Sequence, residues 1–163
     1  MSNINIENLL PILSPNEIIK IDRDILDEYH KKVNSYRQTI IDIMDKKINK
    51  FIFIVGPCSV HNIEEIKDYS VWFKYWQKCF PHLFLIMRVY FEKPRSTIGW
   101  KGYINDPELN DNNNINRGLR DARKLLEWLT DNDIPIATEF LETFTPQYLS
   151  DLVTWGCIGA RTS

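Results

Sequence analysis

The sequence predicts an α/β fold: the first half of a (β/α)8 TIM barrel, preceded by a helical amino-terminal extension. Short apolar runs alternate with stretches of helical periodicity, which is typical of parallel strands joined by helices. The turn after the first run, Gly56-Pro57-Cys58-Ser59, lacks the GxGxxG pattern of a doubly wound nucleotide-binding sheet. An open doubly wound sheet is the alternative, because 163 residues could nearly complete one, whereas a whole barrel needs about 200 residues or more.

The composition is that of a globular chain without a strong charge bias. It has 20 Lys and Arg against 22 Asp and Glu, a formal net charge of −2, and 44% apolar residues. This balance gives no general attraction for nucleic acid or an anionic membrane. Three widely spaced cysteines predict neither a disulfide scaffold nor a zinc finger. The sequence shows no secretory signal and no membrane span, so we expect a cytoplasmic protein.

Residues 1–50 are predicted to form the helical extension. Ser14-Pro15-Asn16-Glu17 combines an N-cap serine, a proline at the first helical position and a glutamate placed for a capping box. Apolar residues then recur at helical spacing over 22–46, which predicts an amphipathic helix. Its apolar face either packs on its own domain or contacts another subunit, and the pattern does not distinguish the two.

Residues 51–163 are predicted to hold strands 1 to 4 of the barrel. Phe51–Val55 is a continuous β-branched and aromatic run, the pattern of a strand buried on both faces, and 83–87 repeats that pattern. The other elements predicted from periodicity are helices at 64–79, 118–130 and 145–154, strands at 134–141 and 156–160, and a polar loop at 92–116.

Polar residues with useful chemistry follow the predicted strands, and functional groups of βα arrays lie at the carboxyl ends of strands. Half of these residues are cations, which match phosphate and carboxylate groups. We therefore predict a site for a small, multiply anionic substrate. Taken singly, Cys58 could be a packed small side chain, and Lys93 and Arg95 a solvated loop face. The set is Cys58, His61, Arg88, Lys93, Arg95, Ser96, Glu139 and Arg161.

Longer strings carry a family resemblance that covers nearly the whole chain, most closely from residue 50 onward. In order, they are GPCSVH at 56–61, MRVYFEKPRS at 87–96, GWKG at 99–102, INDP at 104–107, GL at 118–119, ARKLL at 122–126, EFL at 139–141, PQYL at 146–149 and WGCIGART at 155–162. Together they resemble the amino-terminal half of the class I 3-deoxy-D-arabino-heptulosonate 7-phosphate (DAHP) synthases of bacteria and fungi.

The resemblance implies a transferase that condenses phosphoenolpyruvate with D-erythrose 4-phosphate. The products are DAHP and phosphate, in the first step of the shikimate route to aromatic amino acids. It also implies a divalent metal ion (Mn, Fe, Co or Zn) that polarises the aldehyde carbonyl as a Lewis acid. A homo-oligomer and feedback inhibition by an aromatic amino acid are further implications. The strings do not choose among Phe, Tyr and Trp as the inhibitor.

The resemblance assigns roles to the residues at the first two strand ends. Cys58 matches the thiolate that ligates the metal. Arg88 and Lys93 match the cations around the phosphoenolpyruvate carboxylate and are the predicted catalytic pair. The family's other metal ligands, a His, a Glu and an Asp, belong to later strands than those found here, and a catalytic site needs about three protein ligands.

Two phosphate sites are also implied by the resemblance. Arg95 and Ser96 match the site for the phosphate of erythrose 4-phosphate, with serine where bacterial relatives usually have threonine. Arg161, with Glu139 and Ala160 beside it, matches the phosphate pocket for phosphoenolpyruvate.

Three interpretations follow. In the first, the chain is a fragment of a DAHP synthase and is inactive alone. In the second, 163 residues are the whole product, a non-catalytic remnant or a regulatory, partner-binding subunit. The third, a related phosphoenolpyruvate-using sugar-acid synthase, is disfavoured by the strings KPRS at 93–96 and GWKG at 99–102.

Overall fold

The fold is a sheet of four parallel strands covered by helices. The computed structural model describes residues 11–20, 23–95 and 98–159. The sheet has the order β1-β2-β3-β4, and each strand pairs with the next one along the chain. This order has no reversal of the kind that defines a doubly wound sheet. The predicted half-barrel is therefore confirmed. The strands are β1 (Phe51–Val55), β2 (Leu83–Arg88), β3 (Ile136–Phe140) and β4 (Trp155–Ile158).

Helices lie near the positions that the periodicity predicts. The Ser14 backbone N–H donates to the Glu17 carboxylate at 2.8 Å, one half of the predicted capping box. The Asn62 side chain caps the helix after β1 by accepting from two backbone N–H groups. The helices are α1 (Pro15–Ile18), α2 (Arg23–Met44), α3 (Ile63–Cys79), α4 (Ile115–Asp131) and α5 (Pro146–Leu149).

The main core lies between the outer face of the sheet and the helices. Side chains of successive strand residues point to opposite faces. Leu85 and Met87 on one face of β2, and Val89 just after the strand, pack with Ile136 of β3 and with the apolar faces of α3 and α4. The other face of β2, which carries Arg88 at its end, faces the inside of the barrel.

The amphipathic helix α2 packs on its own chain. Tyr29, Val33 and Ile40 are buried, and the Tyr29 hydroxyl donates to the Asp131 carboxylate at 2.9 Å. Ile40 packs with Ile86 of β2 on the inner face of the sheet. The sequence pattern did not decide whether this helix packs on its own domain or on another subunit, and Tyr29, Val33 and Ile40 pack on their own chain. None of the helices among the described residues is long and apolar enough to cross a membrane.

The helix predicted over 145–154 is wrong in its extent. The structure has only α5, followed by a 3-10 turn at Ser150–Leu152. Arg37, a residue of α2, donates to the Ser150 and Val153 carbonyl oxygens at 2.8 and 2.7 Å. Because this distant guanidinium satisfies the carbonyls, the segment does not need a continuous helix to pair them.

The burial predicted for β1 is also wrong. Phe51 is 68% exposed and Phe53 is 50% exposed. The cause is topological, since β1 pairs only with β2 and forms one edge of the described sheet. A strand composition suited to burial on both faces therefore stands at an open edge.

Candidate active site

The carboxyl ends of β1, β2 and β3 enclose an open cavity of about 340 Å³. Five of the predicted site residues come together here, from strand ends that are up to 81 positions apart in the printed numbering. The cavity is lined by Cys58, Arg88, Tyr90, Glu92, Lys93, Pro94, Arg95 and Glu139.

Of the four other predicted residues, only His61 is among those that the structure describes. Ser96, Ala160 and Arg161 lie outside the described residues, so their assignment stays a prediction. His61 is exposed and does not line the cavity. Its Nε2 atom lies 3.2 Å from the Glu65 carboxylate, one turn along the start of α3.

Two cations converge on the Cys58 sulfur. Lys93 Nζ donates to Cys58 Sγ at 3.0 Å, and Arg88 Nη2 lies 3.7 Å from the same atom. The hydrogen bond and charge of Lys93 lower the pKa of the Cys58 thiol, with a smaller contribution from Arg88. Cys58 is exposed rather than packed in a core. Its surroundings therefore favour a thiolate at the cavity mouth.

Arg88 is held in place from three sides. Its Nη2 donates to the Cys58 carbonyl oxygen at 2.9 Å, and its guanidinium lies 4.3 Å from the centre of the Tyr90 ring. A Cβ atom on Gly56 would lie 2.6 Å from the Arg88 carbonyl oxygen, so glycine permits the close approach of the two strand ends. Arg88 Nε is buried and finds no hydrogen-bond partner among the described residues. The fixed guanidinium thus keeps one buried N–H group without a hydrogen bond among the described residues.

Tyr90 and Glu92 also line the cavity and were not among the predicted site residues. Both follow Arg88 at intervals of two along an extended segment, whereas Val89 and Phe91 between them are buried in the main core. Alternation of side chains along an extended chain produces this division. The same alternation, continued past the end of β2, was the signal that could have found them.

Tyr90 connects the cavity to β4. Its hydroxyl lies 3.6 Å from Cys157 Sγ, and burial, followed by that contact, raises the pKa of Tyr90 to about 12. The ring therefore stays neutral at physiological pH and offers Arg88 an uncharged aromatic face.

The cavity supplies one ligand suited to a divalent metal. A thiolate is a good ligand for a borderline or soft metal ion. Among residues 11–20, 23–95 and 98–159, however, no group of three His, Cys, Asp or Glu side chains could hold such an ion. The described part of the chain therefore supplies one suitable metal ligand, Cys58, and does not supply a complete metal site.

A second cavity lies in the loop that follows the site. It has a volume of about 490 Å³, and Trp100, Lys101 and Asp106 are among its lining residues. The cations that converge on Cys58 do not line it. Although this cavity is larger, we place the candidate site at the strand ends, because Arg88, Lys93 and Arg95 there match an anionic ligand.

Comparison with known proteins identifies the family. The sequence profile described as the DAHP synthetase I family matches residues 21–163. A phospho-2-dehydro-3-deoxyheptonate aldolase of Haemophilus influenzae is 47% identical over 132 residues, covering 80% of this chain and 36% of that protein. The Phe-sensitive phospho-2-dehydro-3-deoxyheptonate aldolase of Escherichia coli is 46% identical over 128 residues, covering 78% of this chain and 37% of that protein.

A solved structure agrees with the sequence comparisons. The phospho-2-dehydro-3-deoxyheptonate aldolase of Francisella tularensis superposes with a TM-score of 0.88 at 45% identity, covering 97% of this chain and 46% of that one. The chain thus spans less than half the length of each of these three relatives. The profile match, the identities and the shared half-barrel all confirm the resemblance, and the chain belongs to the DAHP synthetase I family of enzymes.

Proposed function

We propose that the full-length protein containing this chain is a DAHP synthase. It condenses phosphoenolpyruvate with D-erythrose 4-phosphate and water to give DAHP and inorganic phosphate, the first step of the shikimate route. The observation that carries the proposal is the convergence of Arg88 and Lys93 on Cys58, with Arg95 lining the same cavity. The names of the relatives support the same reaction.

Arg88 and Lys93 bind the carboxylate of phosphoenolpyruvate in this proposal. Both cations contact the Cys58 sulfur, with Lys93 Nζ at 3.0 Å and Arg88 Nη2 at 3.7 Å, and both line the cavity. The two cations offset the mutual repulsion of two phosphorylated substrates and hold them close together. Carbon 3 of phosphoenolpyruvate then forms a bond with the aldehyde carbon of the sugar phosphate. Water adds at carbon 2 and phosphate leaves.

The two phosphate groups occupy separate subsites. Arg95, together with Ser96, binds the phosphate of erythrose 4-phosphate. Arg161, together with Glu139 and Ala160, binds the phosphate of phosphoenolpyruvate. The position of Arg95 and Glu139 in the lining of one cavity supports this arrangement, since both substrates must meet there.

Cys58 provides one ligand of a divalent metal ion, which supplies Lewis-acid polarisation of the aldehyde when bound. Its lowered pKa and exposure support the assignment. The remaining ligands come from a carboxyl-terminal half of the barrel, so the 163-residue chain alone has no synthase activity. Mn, Fe, Co and Zn are the candidate ions.

The proposal extends to organisation and regulation. Residues 1–50 act as a helical extension and 51–163 as strands 1 to 4 of the barrel. The full-length protein is a cytoplasmic homo-oligomer inhibited by an aromatic amino acid, as the name of the Phe-sensitive relative suggests.

The test is an assay of DAHP and phosphate formation with added Mn²⁺, on the full-length gene product and on the 163-residue chain. We expect turnover only from the former. Cys58→Ser should lose most metal binding and turnover while the circular dichroism spectrum is unchanged, because a hydroxyl is a poorer ligand than a thiolate. Lys78→Ala, which removes an exposed cation from α3, is the control. A full-length protein that forms no DAHP with any of the four metals would contradict the proposal.

A further inference from the structure

We propose that Glu92 is a positioning residue for the anion site. Its buried carboxylate ties the loop that carries Lys93 and Arg95 to the segment that follows β3, and so holds these cations in register with Glu139. The inference rests on the proposed function, which it deepens by naming what keeps the substrate-binding cations in place.

The tie is made by two hydrogen bonds between distant parts of the chain. Glu92 Oε2 accepts from the backbone N–H of Leu141 at 2.6 Å and from that of Glu142 at 3.1 Å. These donors are 49 and 50 positions away in sequence. The Glu92 residue is only 3% exposed, so water does not compete strongly for the contact.

The two ends of the tie lead directly to site residues. On one side, Lys93 follows Glu92, and its backbone N–H donates to the Lys101 carbonyl oxygen at 2.9 Å. On the other side, Leu141 is two residues after Glu139, which lines the cavity. A displacement of the Glu92 carboxylate therefore moves the Lys93 loop relative to Glu139.

The backbone around Glu92 is also tightly packed. A Cβ atom on Gly102 would lie 2.6 Å from the Glu92 Cα atom. The loop thus folds back on Glu92 and leaves little space for another position of this residue. The carboxylate is anchored at its backbone as well as at its tip.

The second carboxylate oxygen of Glu92 differs from the first in its hydrogen bonding. Glu92 Oε1 is buried and finds no hydrogen-bond partner among the described residues. Burial raises the pKa of Glu92, and the two backbone N–H donors and Thr145 oppose that rise. A buried polar atom without a partner destabilises a fold. The hydrogen bonds to the Leu141 and Glu142 backbone are therefore made by Oε2 alone.

Three substitutions in the full-length protein test the tie. Glu92→Ala removes it, and Glu92→Asp keeps the charge but shortens the reach by one methylene. Glu92→Gln retains an oxygen that can accept from both N–H groups. Glu64→Gln, which removes an exposed carboxylate from α3, is the control.

We expect Glu92→Ala and Glu92→Asp to raise the KM for both substrates about tenfold or more, with a smaller change in kcat, because sub-ångström misplacement of binding groups is costly. Glu92→Gln should stay within about twofold of the unsubstituted protein. Hydrogen exchange followed by mass spectrometry should show lost protection of the Leu141 and Glu142 amides in the first two variants only. The Gln variant keeps the result interpretable if the Ala variant does not fold.

Two results would overturn the inference. One is an unchanged KM in both the Ala and Asp variants, and the other is a Gln variant as damaged as they are. Failure of the proposed function is separately visible, because the unsubstituted protein would then form no DAHP. The exchange of the Leu141 and Glu142 amides would still show whether Glu92 joins the two segments.

Discussion

Gly56→Ala in the full-length protein should damage the site through its backbone. Gly56 directly follows β1 and lies against Arg88, the last residue of β2. The added methyl carbon would lie 2.6 Å from the Arg88 carbonyl oxygen and 3.0 Å from its backbone nitrogen. These neighbours are backbone atoms of a paired strand, so neither can rotate away.

The size of the effect follows from these distances. An ordinary contact for a Cβ atom begins at 3.4 Å, so the two strand ends must separate by about 0.8 Å. Overpacking of this kind costs about 1–3 kcal/mol of stability. The same displacement moves Cys58 away from Arg88, whose Nη2 donates to the Cys58 carbonyl oxygen at 2.9 Å. Since misplacement by about 1 Å can cost a hundredfold in rate, we expect kcat/KM to fall about ten- to hundredfold.

The assay is steady-state DAHP formation by the folded variant, with the Tm measured on the same sample. Gly156→Ala is the matched control, because it adds the same methyl group to β4. There the nearest neighbour is a ring carbon of Phe140 at 3.1 Å, which belongs to a side chain that can shift. Turnover within twofold of the unsubstituted enzyme for Gly56→Ala would refute the proposed dependence of Arg88 on this close approach.

Three further predictions concern the thiol, a buried ion pair and the isolated chain. Iodoacetamide should modify Cys58 faster at pH 7 than it modifies an ordinary cysteine, and Lys93→Met should slow the reaction, because Lys93 lowers the pKa of the Cys58 thiol. Arg123→Met should lower the free energy of unfolding by about 3 kcal/mol at pH 7, since it leaves the Asp151 carboxylate without its buried partner. Burial raises the pKa of Asp151, but Arg123 lowers it by more, so the pKa in the folded protein is below the ordinary carboxyl value of 3.8. The difference in unfolding free energy between the two proteins, measured by urea denaturation, should therefore shrink as the pH falls below 3.8. The 163-residue chain expressed alone should aggregate, as its recovery in the soluble fraction would show, because the exposed edge of β1 invites pairing with other chains.

Sequence periodicity predicted most of the fold because helices and strands leave distinct intervals between apolar residues. It could not predict Arg123. This residue lies among Leu119, Ala122 and Leu126 on the buried face of α4, where the pattern would place an apolar side chain. The buried guanidinium is stabilised by three distant oxygens, which are both Asp151 carboxylate oxygens and the Tyr148 carbonyl oxygen, and by the Glu127 carboxylate one helical turn away. The local spacing of apolar residues carries no information about such contacts between distant parts of the chain.

For the candidate site, too, the local sequence predicted some features and could not predict others. The cations at the strand ends were predictable, since parallel strands bring their carboxyl ends to one rim. Their convergence on a single sulfur was not, because the Lys93 ammonium reaches Cys58 from 35 positions away. The resemblance assigned Cys58 to the metal and Lys93 to the phosphoenolpyruvate carboxylate, and it did not predict the 3.0 Å contact between the two side chains.

Backbone contacts, together with side-chain contacts, set the geometry of the cations at the rim. Arg88, Lys93 and Arg95 line one cavity, and like charges held together tend to separate unless something opposes them. Besides the contacts of Lys93 and Arg88 with the Cys58 sulfur, three contacts oppose it here: the close approach at Gly56, the hydrogen bond from Arg88 to the Cys58 carbonyl oxygen, and the tie from Glu92 to the segment after β3. Each of them joins residues from different strand ends and uses at least one backbone group. In the proposed function, an anionic substrate would therefore meet cations that the protein already holds in place, and its binding would not have to order the loops first.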